Sequence, residues 1–201
     1  MSEAVMHASA EPAETPLTPE SLGKLGMWLF LVGDAMSFGT LIVGYGIFRL
    51  MSSNWPVPSK VLGINLTALM TFLLICSSVT MVQALSAIKA GDRRGLKKFL
   101  MLTVLGGLVF LGIQAYEWTH LITHTLPHFG LSFTNHLFAT TFFVLTGFHG
   151  MHVTGGVIYN FSVLIACLRG RCGPRQVEIA GLYWHFVDLV WILIFTFVYL
   201  V

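Results

Sequence analysis

Five long apolar segments dominate this chain, and they restrict the folds that are open to it. They cover about residues 25–48, 61–88, 97–121, 136–168 and 179–201. Each exceeds the ~20 residues that a helix needs to cross a bilayer. Because lipid offers the backbone no hydrogen bonds, such segments are helical. The sequence therefore predicts an all-α polytopic membrane protein with a transmembrane domain over residues 24–201. The fourth segment is long enough to require tilt.

The composition agrees with this class. Hydrophobic residues make up 55% of the 201 residues, and charged residues only 10%, where soluble domains carry about a quarter. Residues 1–23 differ, since they hold four glutamates and three prolines but no Lys or Arg. They lack the basic start of a signal peptide, and we expect a disordered, acidic tail.

The basic residues predict the orientation in the membrane. Nine of the eleven Lys and Arg residues fall at one end of the predicted bundle, at Lys24 and in loops 89–98 and 169–178. Only Arg49 and Lys60 fall at the other end. The positive-inside rule then predicts a cytoplasmic N-terminus and an outward C-terminus. This rule explains the basic loops better than nucleic-acid binding does, so we expect no nucleic-acid partner.

The three cysteines form no motif typical of zinc or redox sites. Cys167 and Cys172 could approach each other at a helix end. The favoured interpretation is that all three, Cys76 included, are small apolar filler.

Acidic residues inside apolar segments are the first functional candidates, because an ionised carboxylate is costly there. Asp34 lies among Gly33, Ser37 and Gly39, small residues that let helices approach closely. We expect it in a helix–helix seam, either as a packing group or as a proton-exchanging group. Glu117 shares a helix face with Gln114 and could be half solvated near a membrane interface.

Histidines offer a second set of candidates. His120, His124 and His128 recur every four residues, a spacing that can hold a metal, but Pro127 interrupts the helix and we predict no metal site. In the fourth segment Thr146, Gly150 and Thr154 form a small-residue stripe fit for tight packing. Next to it, His149 and His152 face nearly the same way and could ligate haem iron, bind a carboxylate or hold a lipid headgroup.

The last segment contains Tyr183-Trp184-His185-Phe186-Val187-Asp188 and then Trp191. His185 and Asp188 are three residues apart, so we expect a hydrogen bond along one helix face. His185 with His149 or His152 could instead hold one haem, but no second histidine pair exists for a second haem. A quinone site stays open.

The motifs resemble subunit III of the haem–copper respiratory oxidases. The resemblance is nearly continuous over the last three segments. It rests on Gln114-Ala115-Tyr116-Glu117-Trp118, on the run from Thr146 to Val153, and on Glu178 followed by Tyr183 to Asp188 and Trp191. The chain resembles the short, five-helix bacterial form. It has Asp34 where the family often has a glutamate that reacts with carbodiimides.

The resemblance implies an accessory role in the bacterial plasma membrane. Such a subunit carries no haem or copper itself. It packs against the catalytic subunit I beside subunit II and in some complexes a small fourth subunit, binds phospholipid, and supports sustained turnover and proton uptake. Arg169 matches a family arginine that contacts lipid phosphate, for which an interfacial guanidinium is suited. The alternatives are a haem b- or quinone-binding membrane cytochrome and the companion subunit of a nitric oxide reductase.

Overall fold

A computed structural model describes residues 22–128 and 137–201, without the side chains of residues 59 and 60. Its main elements are five long helices: α1 (Leu22–Met51), α2 (Ile64–Lys89), α3 (Arg93–His120), α4 (Leu137–Leu168) and α5 (Pro174–Ile194). All five are long and apolar enough to cross a membrane. The all-α prediction is therefore confirmed for the described residues. The tail predicted over 1–23 lies almost wholly outside them.

Three helix boundaries differ from the predicted ones. Pro58–Val61 forms a separate helical turn, so the second span begins after Gly63. The third span continues through a π-helical turn, Leu121–Thr125, into Leu126–His128. Pro127 therefore lies within a helical turn, and the prediction that it interrupts the helix is wrong. The last span ends in another π-helical turn, Phe195–Leu200.

Helices α2, α3, α4 and α5 form a ring, and α1 lies outside it. α2 packs on α3 and α5, and α4 packs on α3 and α5. α1 packs on α4 and α5. Its buried side chains, Leu31, Phe38 and Tyr45, are seven residues apart, which is about two turns of helix. α1 therefore contacts the ring along a narrow stripe, and the other helices leave most of its apolar surface uncovered.

Two short connections lie at the same end of the bundle and end in similar turns. α2 and α4 are each followed by a glycine with positive φ, Gly91 at 77° and Gly170 at 73°, a conformation that glycine adopts without strain. After Gly91, the Asp92 carboxylate accepts hydrogen bonds from the backbone N–H groups of Arg94 and Gly95, both at 3.0 Å, and so caps α3.

The cysteine prediction was wrong for one pair. Cys167 and Cys172 form a disulfide, with their Cα atoms 4.6 Å apart. Cys76 is free and exposed on α2. The turn at Gly170 brings the pair together, because it reverses the chain between the end of α4 and the start of α5.

The tight helix contacts are also not where the sequence placed them. A Cβ added to Gly33, Gly39 or Gly150 would meet nothing within 4 Å. One close approach lies between Gly106 of α3 and Ser77 of α2, and two others lie around the indole of Trp184. A Cβ on Gly107 of α3 would lie 2.6 Å from that ring, and a Cβ on Gly156 of α4 would lie 2.9 Å from it. These two glycines form the slot that admits the ring.

Candidate functional site: a polar ladder and two buried acids

Three polar side chains of α5 bond to α2 in a regular series, which we call the α2–α5 ladder. The Trp184 Nε1–H donates to Ser77 Oγ at 3.0 Å, and the Trp191 Nε1–H donates to Thr71 Oγ1 at 2.9 Å. Between them, Ser78 Oγ donates to Asp188 Oδ2 at 2.7 Å. Residues 184, 188 and 191 lie on one face of α5 because their spacing is four and then three. All six side chains are buried.

The ladder corrects the expected pairing of Asp188. Its hydrogen-bond partner is Ser78 on α2, and its Oδ1 atom has no partner, so the predicted hydrogen bond to His185 is not formed. His185, one turn before Asp188 on α5, is half-buried. Buried polar groups in a membrane stabilise helix association when they are paired, so the geometry gives Asp188 a role in holding α5 on α2.

Glu117 is the centre of a second polar cluster, and the expectation that it is half solvated is wrong. Its side chain is 6% exposed. Thr67 Oγ1 donates to Oε1 at 2.9 Å, while Gln114 Nε2 and the Tyr199 hydroxyl donate to Oε2 at 3.3 and 3.2 Å. Three helical segments that are distant in sequence therefore converge on one carboxyl group. Glu117 connects the end of the last span to α2 and α3.

His149 lies in the aromatic core. It is 1% exposed and stacks on Trp191 with ring centroids 4.9 Å apart, while Phe110 meets it edge-on at 5.9 Å. A lipid headgroup cannot reach this ring through the surrounding side chains, so the expected lipid contact of His149 is wrong. Stacking on Trp191 also leaves no room for a haem against this face.

Asp34 and His152 form the contact between α1 and α4. His152 Nε2 lies 3.2 Å from Asp34 Oδ2, and both side chains are largely buried. The other ring nitrogen, Nδ1, lies 2.8 Å from the Phe148 carbonyl oxygen. A carbonyl can only accept, so Nδ1 carries a hydrogen. Nε2 and Oδ2 lie close together but form no hydrogen bond.

This geometry places a carboxyl group against an imidazole between two helices. Asp34 does face another helix, as expected, although the small residues around it do not line that contact. Since Nδ1 is bonded to the Phe148 carbonyl and Nε2 lies against the Asp34 carboxyl group, the geometry favours the carboxylate contact of His152 over binding of haem or a lipid headgroup.

The remaining candidates lie at the ends of the bundle. Arg169 is exposed just beyond α4, and Glu178 in α5 pairs with Lys24 of α1 at 3.0 Å. His120 and His124 are adjacent, with ring centroids 5.2 Å apart. Within the two described stretches, no three His, Cys, Asp or Glu side chains are grouped closely enough to hold a metal ion.

Sequence reasoning missed the α2 half of the ladder. This half consists of Thr71, Ser77 and Ser78, and the seven-residue spacing of Thr71 and Ser78 places those two on one face of α2. This spacing was a usable signal, but single hydroxyl groups in an apolar helix carry little weight because they can bond to their own backbone. Thr71 also does so, with Thr67 as acceptor.

The fold is an all-α bundle of five helices that are long and apolar enough to cross a membrane, and the comparisons identify its family. The model of "Cytochrome c oxidase subunit III" matches residues 5–201. The chain belongs to this family, whose members are subunits of haem–copper cytochrome c and quinol oxidases.

Several bacterial relatives match at nearly full length. A protein named quinol oxidase subunit 3, from Bacillus spizizenii, is 34% identical over 96% of each chain. A cytochrome c oxidase subunit 3 from Synechocystis is 39% identical over 89% of this chain and 76% of the relative. Another from Thermostichus vulcanus is 35% identical over 88% and 86%. The matches include both quinol and cytochrome c oxidases, so they leave the electron donor open.

Proposed function

We propose that this chain is the accessory subunit III of a proton-pumping bacterial terminal oxidase. It packs against the catalytic subunit I, beside subunit II and in some complexes a small fourth subunit, and sustains turnover and proton uptake. Haem and copper belong to the partner subunits. The complex lies in the bacterial plasma membrane, with the basic end of this chain on the cytoplasmic side. The family match over residues 5–201 supports the class of complex.

The α2–α5 ladder is the main structural support for the accessory role. Its indole and hydroxyl groups and Asp188 bond to one another across two helices, so they are committed to the architecture of the bundle. An indole N–H donates but cannot accept a proton from a neighbour. The ladder therefore does not conduct protons along α5, and its role is structural.

The exposed side of α1 supports a large partner. Gly33 and Gly39 lie open, with space for a second backbone to approach, and large apolar side chains such as Val32, Met36 and Val43 surround them. Small residues next to apolar ones favour close helix packing in membranes. The small-residue pattern of α1 is then explained by a partner helix and not by a contact within this chain.

Arg169 supports a phospholipid contact at the cytoplasmic end. Its exposed guanidinium follows the last turn of α4, next to Arg171, and a planar guanidinium binds phosphate through two parallel hydrogen bonds. His149 and His152 have no part in this contact, because the first is buried and the second lies against Asp34.

The Asp34–His152 pair supports a role in proton supply. The Asp34 carboxyl group and the His152 imidazole lie 3.2 Å apart between α1 and α4, and α1 is the helix that faces the proposed partner. We expect Asp34→Asn, in the assembled oxidase, to keep the initial rate of oxygen consumption. Activity should then fall faster over repeated turnover, because the amide cannot exchange a proton at neutral pH.

Oxygen consumption followed over many turnovers tests this role. Glu178→Gln is the matched control, since it also removes a carboxylate involved in a contact between α1 and another helix. Its site is more exposed, and an ion pair there contributes only about 0–1 kcal/mol. The control should lose activity over repeated turnover no faster than the wild type. If Asp34→Asn also lost activity no faster than the wild type, Asp34 would be a packing residue only.

A further inference from the structure

The turn between α4 and α5 holds two cysteine side chains next to each other. Cys167 lies in the last turn of α4 and Cys172 lies two residues before Pro174. Their Cα atoms, 4.6 Å apart, lie within the range over which a disulfide closes without backbone movement. Backbone hydrogen bonds shape the same turn, from Gly170 N–H to the Cys167 carbonyl at 3.2 Å and from Arg171 N–H to the Ala166 carbonyl at 2.9 Å. These bonds do not depend on the sulfur atoms, so the turn keeps the thiols close in the reduced state too.

The two sulfurs line a small cavity with a basic wall. The cavity encloses about 170 Å³ and is lined also by Arg93 and Lys97 of α3. Cys172 is half-buried and Cys167 is 3% exposed. A small reagent therefore reaches Cys172 first, and the two cations attract one that carries carboxylates.

The location of the pair makes its oxidation state variable. The turn lies at the basic end of the bundle, which the proposed orientation places in the cytoplasm, where thiols are normally kept reduced. The fold permits this disulfide, but the reducing cytoplasm opposes it. The disulfide therefore forms only when the small-molecule thiols of the cytoplasm become oxidised. We infer that Cys167 and Cys172 are a reversible redox site that closes and opens the α4–α5 connection.

The exchange needs only a small-molecule disulfide of the glutathione type. The Cys172 thiol attacks it, forming a mixed disulfide and releasing one small thiol. The Cys167 thiol then attacks the Cys172 sulfur, forming the internal disulfide and releasing the second small thiol. One disulfide and two protein thiols thus become one protein disulfide and two small thiols, with no other electron acceptor.

Closing this bridge restrains charged groups that face the membrane surface. Arg169 and Arg171 lie inside the bridged loop, and the first turns of α5 carry Glu178, which pairs with Lys24 of α1. The oxidised form holds the loop and the start of α5 to the end of α4. The reduced form leaves this turn held only by its backbone hydrogen bonds.

Differential thiol labelling of the assembled complex tests the inference. The complex is equilibrated without oxygen in reduced and oxidised glutathione at several ratios and total concentrations. It is then quenched in acid, and free and oxidised cysteines are alkylated with different reagents and quantified by peptide mass spectrometry. We expect Cys167 and Cys172 to convert together, with the oxidised fraction following the concentration of glutathione disulfide over the square of that of glutathione. In Cys172→Ser the joint transition should be lost.

Three results would overturn the inference. Both thiols could stay free at every glutathione ratio, or both could stay oxidised in excess glutathione. In the third result Cys172 alone would carry glutathione, and the modified fraction would depend on the first power of the glutathione concentration and not on its square. The free Cys76 on α2 is the internal control for labelling. A wrong membrane orientation would leave this transition intact, since the assay uses solubilised complex, so the two proposals fail separately.

Hydrogen exchange gives a readout of the structural consequence. Amides of residues 168–178 should exchange several-fold faster after reduction, and at the same faster rate in Cys172→Ser under oxidising conditions. The equivalent turn at residues 89–95, which has no cysteine, should not change. Equal exchange of residues 168–178 in both states would show that the disulfide does not restrain the turn.

Discussion

At the scale of single residues, several buried polar groups are paired across helices, and the cost of removing one partner follows from its burial. In Ser78→Ala the Asp188 carboxyl loses its 2.7 Å hydrogen bond inside the bundle. Leaving a buried acceptor without its donor costs about 1–3 kcal/mol. We expect a lower midpoint of thermal unfolding and weaker retention of this chain in the oxidase, with the haem spectrum of the partner unchanged.

The control for that variant is Ser162→Ala. Ser162 is exposed on α4 and bonds only to the Ile158 carbonyl of its own helix, so its loss should change the midpoint little. A Ser78→Ala protein as stable as Ser162→Ala, and equally well retained, would contradict the role given to the α2–α5 ladder.

At the scale of elements, the packing of α3 against the Trp184 indole depends on Gly107. Gly107→Ala places a methyl group 2.6 Å from the Trp184 ring, which is closer than van der Waals contact and forces the helices apart. Such overpacking typically costs 1–3 kcal/mol. We expect a lower yield of folded protein and a lower midpoint of unfolding in detergent.

Gly112→Ala on the same helix is the matched control, because a Cβ there meets nothing within 4 Å. This variant should be neutral or more stable, since alanine favours a helix by about 1 kcal/mol over glycine. Equal stability of the two variants would mean that Trp184 does not fill a slot between α3 and α4.

The elements were predictable from the sequence to different degrees. The five spans follow from hydropathy alone, because a run of ~20 apolar residues has few other folds open to it. The choice of packing glycines was wrong, since spacing identifies a face but not what covers it. Gly33 and Gly150 are open, while Gly107 and Gly156 admit Trp184.

The partners of the buried acids were the least predictable part. Asp188 bonds to a serine 110 residues earlier in the chain, and nothing local to α5 indicates which helix lies opposite. The expected His185 partner came from local spacing, which measures proximity along one helix only. Glu117 shows the same limit, because Thr67 and Tyr199 reach it from distant segments.

At the scale of the whole molecule, the orientation in the membrane is a prediction from charge. In a protein whose three native cysteines are replaced by serine, Ala90→Cys lies at the basic end and Ser53→Cys at the other, and both native side chains are exposed. A membrane-impermeant maleimide should label position 53 in intact spheroplasts and position 90 only after permeabilisation. The reverse pattern would contradict the proposed orientation.

The accessory role has different consequences for the isolated chain and for the complex. The measurement that tests it most directly is the haem absorbance spectrum of each, after solubilisation in mild detergent and purification through a tag on this chain. We expect the chain to co-purify with a haem-containing subunit, and the chain purified alone to show no haem absorbance. A stoichiometric haem spectrum from the isolated chain would contradict it.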